Sequence, residues 1–460
     1  MGRLVAWLGA LVVALVVVGA VALNLSPVGR IYLWAGTGLV AKQTCSLVFV
    51  SGLEPGRAQA LYITPLLGSA ANLIGHDIDE EAREVTASAL GLFWRQRAVY
   101  REGLGCTLVH GSGDFDPDLA VETPDPTYFS LDTRHRDAAF DADALQAAVD
   151  GAFDDPNGTR NTLAVVVLHE GRLVAERYAE GITRENRLHG WSMTKSAMVT
   201  LAGVLTQAGE LDAFEAGQIP ALTGRGVDAE ASTIDQLLRM TGGLAVAEIN
   251  NGFDPNSDML MTESDMATFA ATRERLYPSG EHWQYMSGNT ILATHAMQQL
   301  LGDDLAAQVR GLRARLFEPL GMHSAILEPD ESGTFQGSSY LYATPHDWAR
   351  MLQLYIDDGV TPDGERLIPN WWDDYVSTPT AGSGGVYGSG FWIPNVRTPE
   401  GRLPEDAINA QGFQGQYGFV IPSHGLVIVR MGATNQGGTG SIELAAAVVA
   451  ALQPLPASSD

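Results

Sequence analysis

Reading apolar against polar positions along the chain, the first signal is an almost wholly apolar run over residues 4–23, preceded by Arg3 and the amino terminus. Its length is about what a hydrocarbon core requires, which makes it a targeting segment. Ala20-Val21-Ala22 fits the small-x-small pattern of a signal-peptidase site, yet the run is long for a signal peptide. Residues 1–23 therefore read as either a cleaved signal or a membrane anchor, with the remainder exported to the periplasm or held at the inner membrane outside the cytoplasm. Over residues 26–132 short apolar runs alternate with turn residues, and 84–92 followed by 95–109 reads as a strand pair. The pattern predicts a small β-rich accessory lobe over 24–135, ending in a Pro/Asp-rich linker at 114–126.

From residue 136 the pattern changes to longer periodic segments. Helical periodicity over 141–153 starts at an Asp, and two β-rich runs, 163–169 and 172–178, are joined by Glu170-Gly171 as a hairpin. Residues 193–208 carry Ala197, Met198, Leu201, Val204, Leu205 and Ala208 at helical spacing and should form a buried central helix. Further helices are predicted at 233–239, 263–272, 289–301, 305–316 and 345–358. A second strand pair follows at 418–422 and 425–431, and an apolar helix closes the chain at 441–452. Strands, then helices, then strands and a helix make an α+β domain over 136–455, an antiparallel sheet flanked by helices with an all-helical subdomain.

At 460 residues the chain can bury a large core. A formal charge of −26 and the lack of any basic tract exclude a nucleic-acid partner, since phosphate binding needs clustered cations. Two cysteines, Cys45 and Cys106, stand outside the region assigned to chemistry; in an exported chain they are expected to pair, the alternative being two buried thiols. No Cys or His cluster has zinc spacing, and His169-Glu170 lacks the second histidine of a metalloprotease helix, so no metal is expected.

The candidate chemistry sits at the head of the central helix. Ser192-Met193-Thr194-Lys195 places a hydroxyl and an amine three residues apart, on one helix face and close enough for the amine to take the hydroxyl proton. The helix N-terminus adds free N–H groups and positive dipole, and burial would lower the lysine's pKa. The competing reading is an N-cap serine beside a solvated lysine. Downstream, Tyr285-Met286-Ser287 supplies a phenol able to relay a proton, or else a structural tyrosine before the next helix. Gly412-Phe413-Gln414-Gly415 leads into the late strand pair. There Gly412 lets backbone approach a substrate, and the N–H groups of Phe413 and Ser192 could form an oxyanion hole; the alternative is an ordinary glycine turn. Tyr387, Phe391 and Trp392 either line an acyl site or pack in the core.

Trp191-Ser192-Met193-Thr194-Lys195-Ser196, Leu237-Leu238-Arg239-Met240-Thr241-Gly242-Gly243-Leu244, Tyr285-Met286-Ser287-Gly288-Asn289 and Gly337-Ser338-Ser339-Tyr340 together resemble the class C beta-lactamase-related serine hydrolases. Within them the chain is most similar to the 6-aminohexanoate-dimer hydrolase-like branch. The resemblance covers residues 136–455 and implies a transpeptidase-like fold, an acyl-enzyme on Ser192, and Lys195 and Tyr285 as proton carriers, with no cofactor. One departure matters: the lysine-threonine-glycine triad of beta-lactamases is replaced by Ala410-Gln411-Gly412, and Ser287 stands where lactamases usually carry asparagine. Without the triad's cation, a small-molecule ester or amide of lower acidity is the expected substrate, with Ser287, Gly412 and Tyr387 as candidate contacts. A peptidoglycan-directed DD-carboxypeptidase or weak beta-lactamase is the rival within enzymes, and a catalytically silent membrane-tethered binding protein the rival outside them.

Overall fold

The structure is a computed structural model that describes residues 2–111, 115–155, 158–249, 254–394, 397–398, 401–435 and 437–453. Asp114 of the expected linker, residues 250–253 of the insert and residues 454–455 of the expected domain end lie outside the described residues.

The centre is a five-stranded antiparallel sheet in the spatial order Ile408–Gly412, Gln416–Ile421, Leu426–Gly432, Thr162–His169, Arg172–Tyr178. Strand Thr162–His169 is covered on both faces, so it reads as a continuous apolar run. Alternation still sorts its side chains: Val165 and Val167 join a core with Leu145, Val149, Leu444 and Val448, whereas Ala164, Val166 and Leu168 join Met193, Met351 and Leu352. Helices Ala142–Gly151 and Ser441–Ala450 thus cover one face, and Met193–Gln207 with Pro345–Ile356 the other. The hairpin turn at Glu170-Gly171 has φ of 50° and 73°, the pair of left-handed residues that matches strand twist.

Between helix Met193–Gln207 and the late strands lies a helical insert: Ile234–Leu238, opened by a Thr233/Gln236 capping box, then Pro255–Thr262, Met266–Ala271 and Ser287–Gln298. The helix Pro255–Thr262 stands where sequence pattern gave only a loop. Its apolar content is the short run Met259-Leu260-Met261 behind an Asp254 cap, too brief to register as periodicity.

The N-terminal part departs furthest from expectation. Helix Gly2–Leu25 is followed, after Ser26, by a second helix, Pro27–Cys45, and the expected strand pair is a four-stranded meander, Ile74–Asp79, Glu84–Ala89, Phe93–Arg101 and Gly105–Val109. Gly103 and Gly105, with φ of 72° and 71°, turn the last two strands where one was expected. The second helix was obscured by Gly36 and Gly38, which are contact points: a Cβ on Gly38 would lie 2.3 Å from the Met261 carbonyl oxygen, and one on Gly36 2.9 Å from Ile74 Cδ1. Cys45 and Cys106 form a disulfide that ties this helix to the meander. The same seam buries the Lys42–Glu328 ion pair at 2.6 Å, so the lobe shares its core with the rest of the chain.

Candidate active site

Strand Leu188–His189 delivers the chain to Gly190, where a Cβ would collide with the Trp348 ring at 2.2 Å, and then to Trp191, which holds a left-handed φ of 46°. Such a conformation costs a bulky residue about 1–3 kcal/mol. It is held by stacking on His189 at 4.1 Å and by the Trp191 indole N–H donating to Gln414 Oε1 at 2.9 Å. The bend puts Ser192 at the head of Met193–Gln207. Its side chain makes no capping bond to the helix, which removes the N-cap alternative.

Lys195 is 1 % exposed, and its Nζ has three neutral oxygens around it: Ser192 Oγ at 3.0 Å, Ser287 Oγ at 3.0 Å and the Ser338 carbonyl at 3.1 Å. A neutral amine has two N–H donors and one lone pair. In that form the Ser338 carbonyl and Ser287 can take its two donors and leave the lone pair to the Ser192 hydroxyl, whereas as an ammonium it donates to all three. Burial lowers the Lys195 pKa, against an opposing pull from Glu248. Ser287 in turn donates to Glu248 Oε2 at 2.9 Å, so the carboxylate reaches the amine through one hydroxyl.

Tyr285 hydrogen-bonds to Ser192, and the amine lies 4.8 Å from its ring centroid. Burial, then the charge of Glu248, pushes the phenol well above its ordinary pKa, so Tyr285 rests as a proton donor. Sequence reasoning missed Glu248. It comes from a loop remote in sequence, and a single carboxylate near an Ile-Asn stretch carries no signal of its own.

A cavity of about 410 Å³ opens over Ser192. Tyr285, Trp392, Glu248, Gln411, Gly412 and Phe413 line it, together with Leu39, Leu67 and Ile74 of the N-terminal lobe. Gly412 is required by geometry, since a Cβ there would lie 2.2 Å from the Gly190 carbonyl. Phe413 packs edge-on against Trp191 at 5.5 Å. Among the described residues, neither the Phe413 nor the Ser192 N–H has an acceptor. Ser287 belongs to the amine's hydrogen-bond network instead of the cavity wall. Tyr387, expected at the wall, is buried behind it against Tyr285 and Trp392 at 5.8 and 5.0 Å. Ala410-Gln411-Gly412 lies on the sheet's edge strand Ile408–Gly412, and among the described lining residues Glu248 is the one charged group.

Away from the cavity, His135 joins His169 and Glu170 within 4.8 Å, a cluster that sequence spacing did not reveal. The two imidazoles hydrogen-bond to each other at 2.9 Å at the far end of strand Thr162–His169 from the 413–415 turn.

Comparison with known proteins places this geometry. Residues 142–453 match the Beta-lactamase family. Penicillin-binding protein 4 of Amycolatopsis lactamdurans is 28% identical over 280 residues, covering 52% of this chain and 68% of that one. The 6-aminohexanoate-dimer hydrolase of Paenarthrobacter ureafaciens is 24% identical over 226 residues, covering 46% and 56%. A family VIII carboxylesterase structure superposes with a TM-score of 0.52 at 15% identity, over 67% of this chain and 96% of that one. With the matched region spanning the sheet, the nucleophile helix and the insert, the chain belongs to the beta-lactamase family of serine hydrolases.

Proposed function

We propose that the chain cleaves an uncharged ester or amide through an acyl-enzyme on Ser192. The observation that carries this reading is the dry Lys195 amine, 3.0 Å from Ser192 Oγ and with both its N–H donors otherwise engaged. Ser192 Oγ attacks the carbonyl carbon while its proton passes to Lys195. The N–H groups of Ser192 and Phe413 receive the oxyanion. Tyr285 gives its proton to the departing alcohol or amine and is reprotonated from Lys195; water then attacks the acyl ester by the same path in reverse.

The cavity's charge supports the substrate class. A carboxylate-bearing beta-lactam or peptide needs a cation, and the described lining offers Glu248 instead. Likeness to a penicillin-binding protein over 280 residues favours a DD-carboxypeptidase as the second reading; a penicilloyl adduct on Ser192 would support it. The apolar N-terminal helix is compatible with a signal or an anchor, and we read it as the element that takes the chain out of the cytoplasm.

Ser192→Ala should lower turnover of a short-chain aryl ester by roughly 10³-fold or more without changing the melting temperature. Undiminished turnover in that variant would remove Ser192 from the mechanism.

A further inference from the structure

Beyond the residues around Ser192 the cavity lining is largely apolar, and much of it comes from outside the family-matched region. Ala35, Leu39, Leu67 and Ile74 stand on the N-terminal lobe, and Leu260 and Met261 on the insert helix packed against it. A hydrolase of short polar substrates has no use for such a wall; a long acyl chain does, at about 0.8 kcal/mol for each methylene it buries.

The same lobe also shows where that chain would come from. Helix Pro27–Cys45 crosses the meander with a fixed polarity: its last residue, Cys45, is bonded to Cys106, and Gly36, at its midpoint, abuts Ile74, so its N-terminal half runs on past the Ile74 edge. Ile74 pairs with Ala89, and Leu90 N–H donates to the Leu73 carbonyl. The tip at residues 90–92 therefore lies at the end of the lobe where the N-terminal helix joins. Leu73, Leu90 and Leu92 are 48%, 63% and 82% exposed there, and Trp34 is exposed nearby. Ala35 follows Leu25, the end of the apolar helix, by ten residues (35 − 25), a helical rise of about 15 Å. An anchor, an apolar tip and the apolar cavity wall thus share one end of the molecule.

We infer that the substrate is a long-chain acyl ester or amide of a bilayer lipid, entering the cavity from the membrane in which the N-terminal helix is anchored. The inference rests on Ser192 being the nucleophile. The acyl chain lies along Leu39, Leu67 and Met261 with its carbonyl at Ser192, and the polar part of the lipid leaves with the proton from Tyr285. A body of net charge −26 would be repelled by an anionic surface, so the test uses zwitterionic lipid.

The full-length chain is reconstituted into phosphatidylcholine vesicles and given 4-methylumbelliferyl butyrate in solution or the palmitate ester in the bilayer. The palmitate should be cleaved with a kcat/KM about tenfold or more above the butyrate. Leu39→Gln should lower the palmitate-to-butyrate ratio about tenfold. Leu90→Asp combined with Leu92→Glu, both at the solvent-exposed tip, should lower it several-fold. Butyrate cleavage equal to or above palmitate cleavage, with a fluorophosphonate label on Ser192, would overturn the lipid inference and leave the nucleophile in place. No turnover of either ester and no label would overturn both.

Discussion

The chain contains only two lysines, Lys42 and Lys195, and both are buried. Burial pushes each amine downward, yet their surroundings differ in one respect. Lys42, in the seam between the lobe and the rest of the chain, touches the Glu328 carboxylate at 2.6 Å and faces the Tyr340 ring at 4.6 Å. Lys195 touches only neutral oxygens, and the nearest carboxylate, Glu248, is one hydroxyl away. A contacting counter-charge helps hold a proton on a buried amine, whereas burial without one favours its release. The first lysine accordingly reads as an ion-pair strut, and the second has the setting that the proposed base requires, although composition and burial treat them alike.

Exchanging each for methionine should separate the two roles. Lys195→Met is expected to lower kcat/KM for an aryl ester by roughly 10³-fold or more, with the fold kept, as read by steady-state kinetics and circular dichroism. Lys42→Met should do the opposite. It leaves Glu328 buried without its cation, and breaking such a pair costs about 3–5 kcal/mol, a loss visible in denaturant melts. Molecules that remain folded should turn over normally. Adding Glu328→Leu should recover most of that stability; no recovery would mean that Lys42 acts through packing alone.

The smaller effect concerns the carboxylate that separates the two environments. Glu248 raises the Lys195 pKa, so its removal lowers that pKa further. Because kcat/KM rises with pH as Lys195 loses its proton, Glu248→Gln should move the acidic limb of the profile to lower pH, by about one unit. Movement to higher pH would show that Ser287 does not couple the two groups. The linkage to stability has a definite sign as well. Between the lowered folded-state pKa and the ordinary lysine value, the unfolded chain binds the extra proton, so the Lys195 contribution to stability falls as pH falls through that window.

The contact between Ser192 and Lys195 was legible in sequence because its spacing is set by one helix: three residues apart on a buried helix leaves little freedom in where the two side chains meet. The central hairpin at 170–171 and the helix at 441–452 were legible for the same local reason. What sequence pattern did not convey was tertiary. Glu248 reaches the site from a loop, and Tyr387, which reads as a wall residue, is screened from the cavity by Tyr285 and Trp392. Helix Pro27–Cys45 was hidden by glycines that look like turn signals and are close-packing points. With that helix hidden, the lobe read only as a β-rich accessory unit, whereas it supplies part of the cavity lining.

In the mechanism we propose, Lys195 activates Ser192 from within a dry, neutral setting. Fluorophosphonate labelling of the full-length chain, located by peptide mass spectrometry and timed across pH, asks this without knowledge of the substrate. A single adduct on Ser192 is expected, forming faster as pH rises toward the lowered Lys195 pKa and disappearing in Lys195→Met. An unlabelled Ser192, or a label whose rate is indifferent to Lys195, would contradict it.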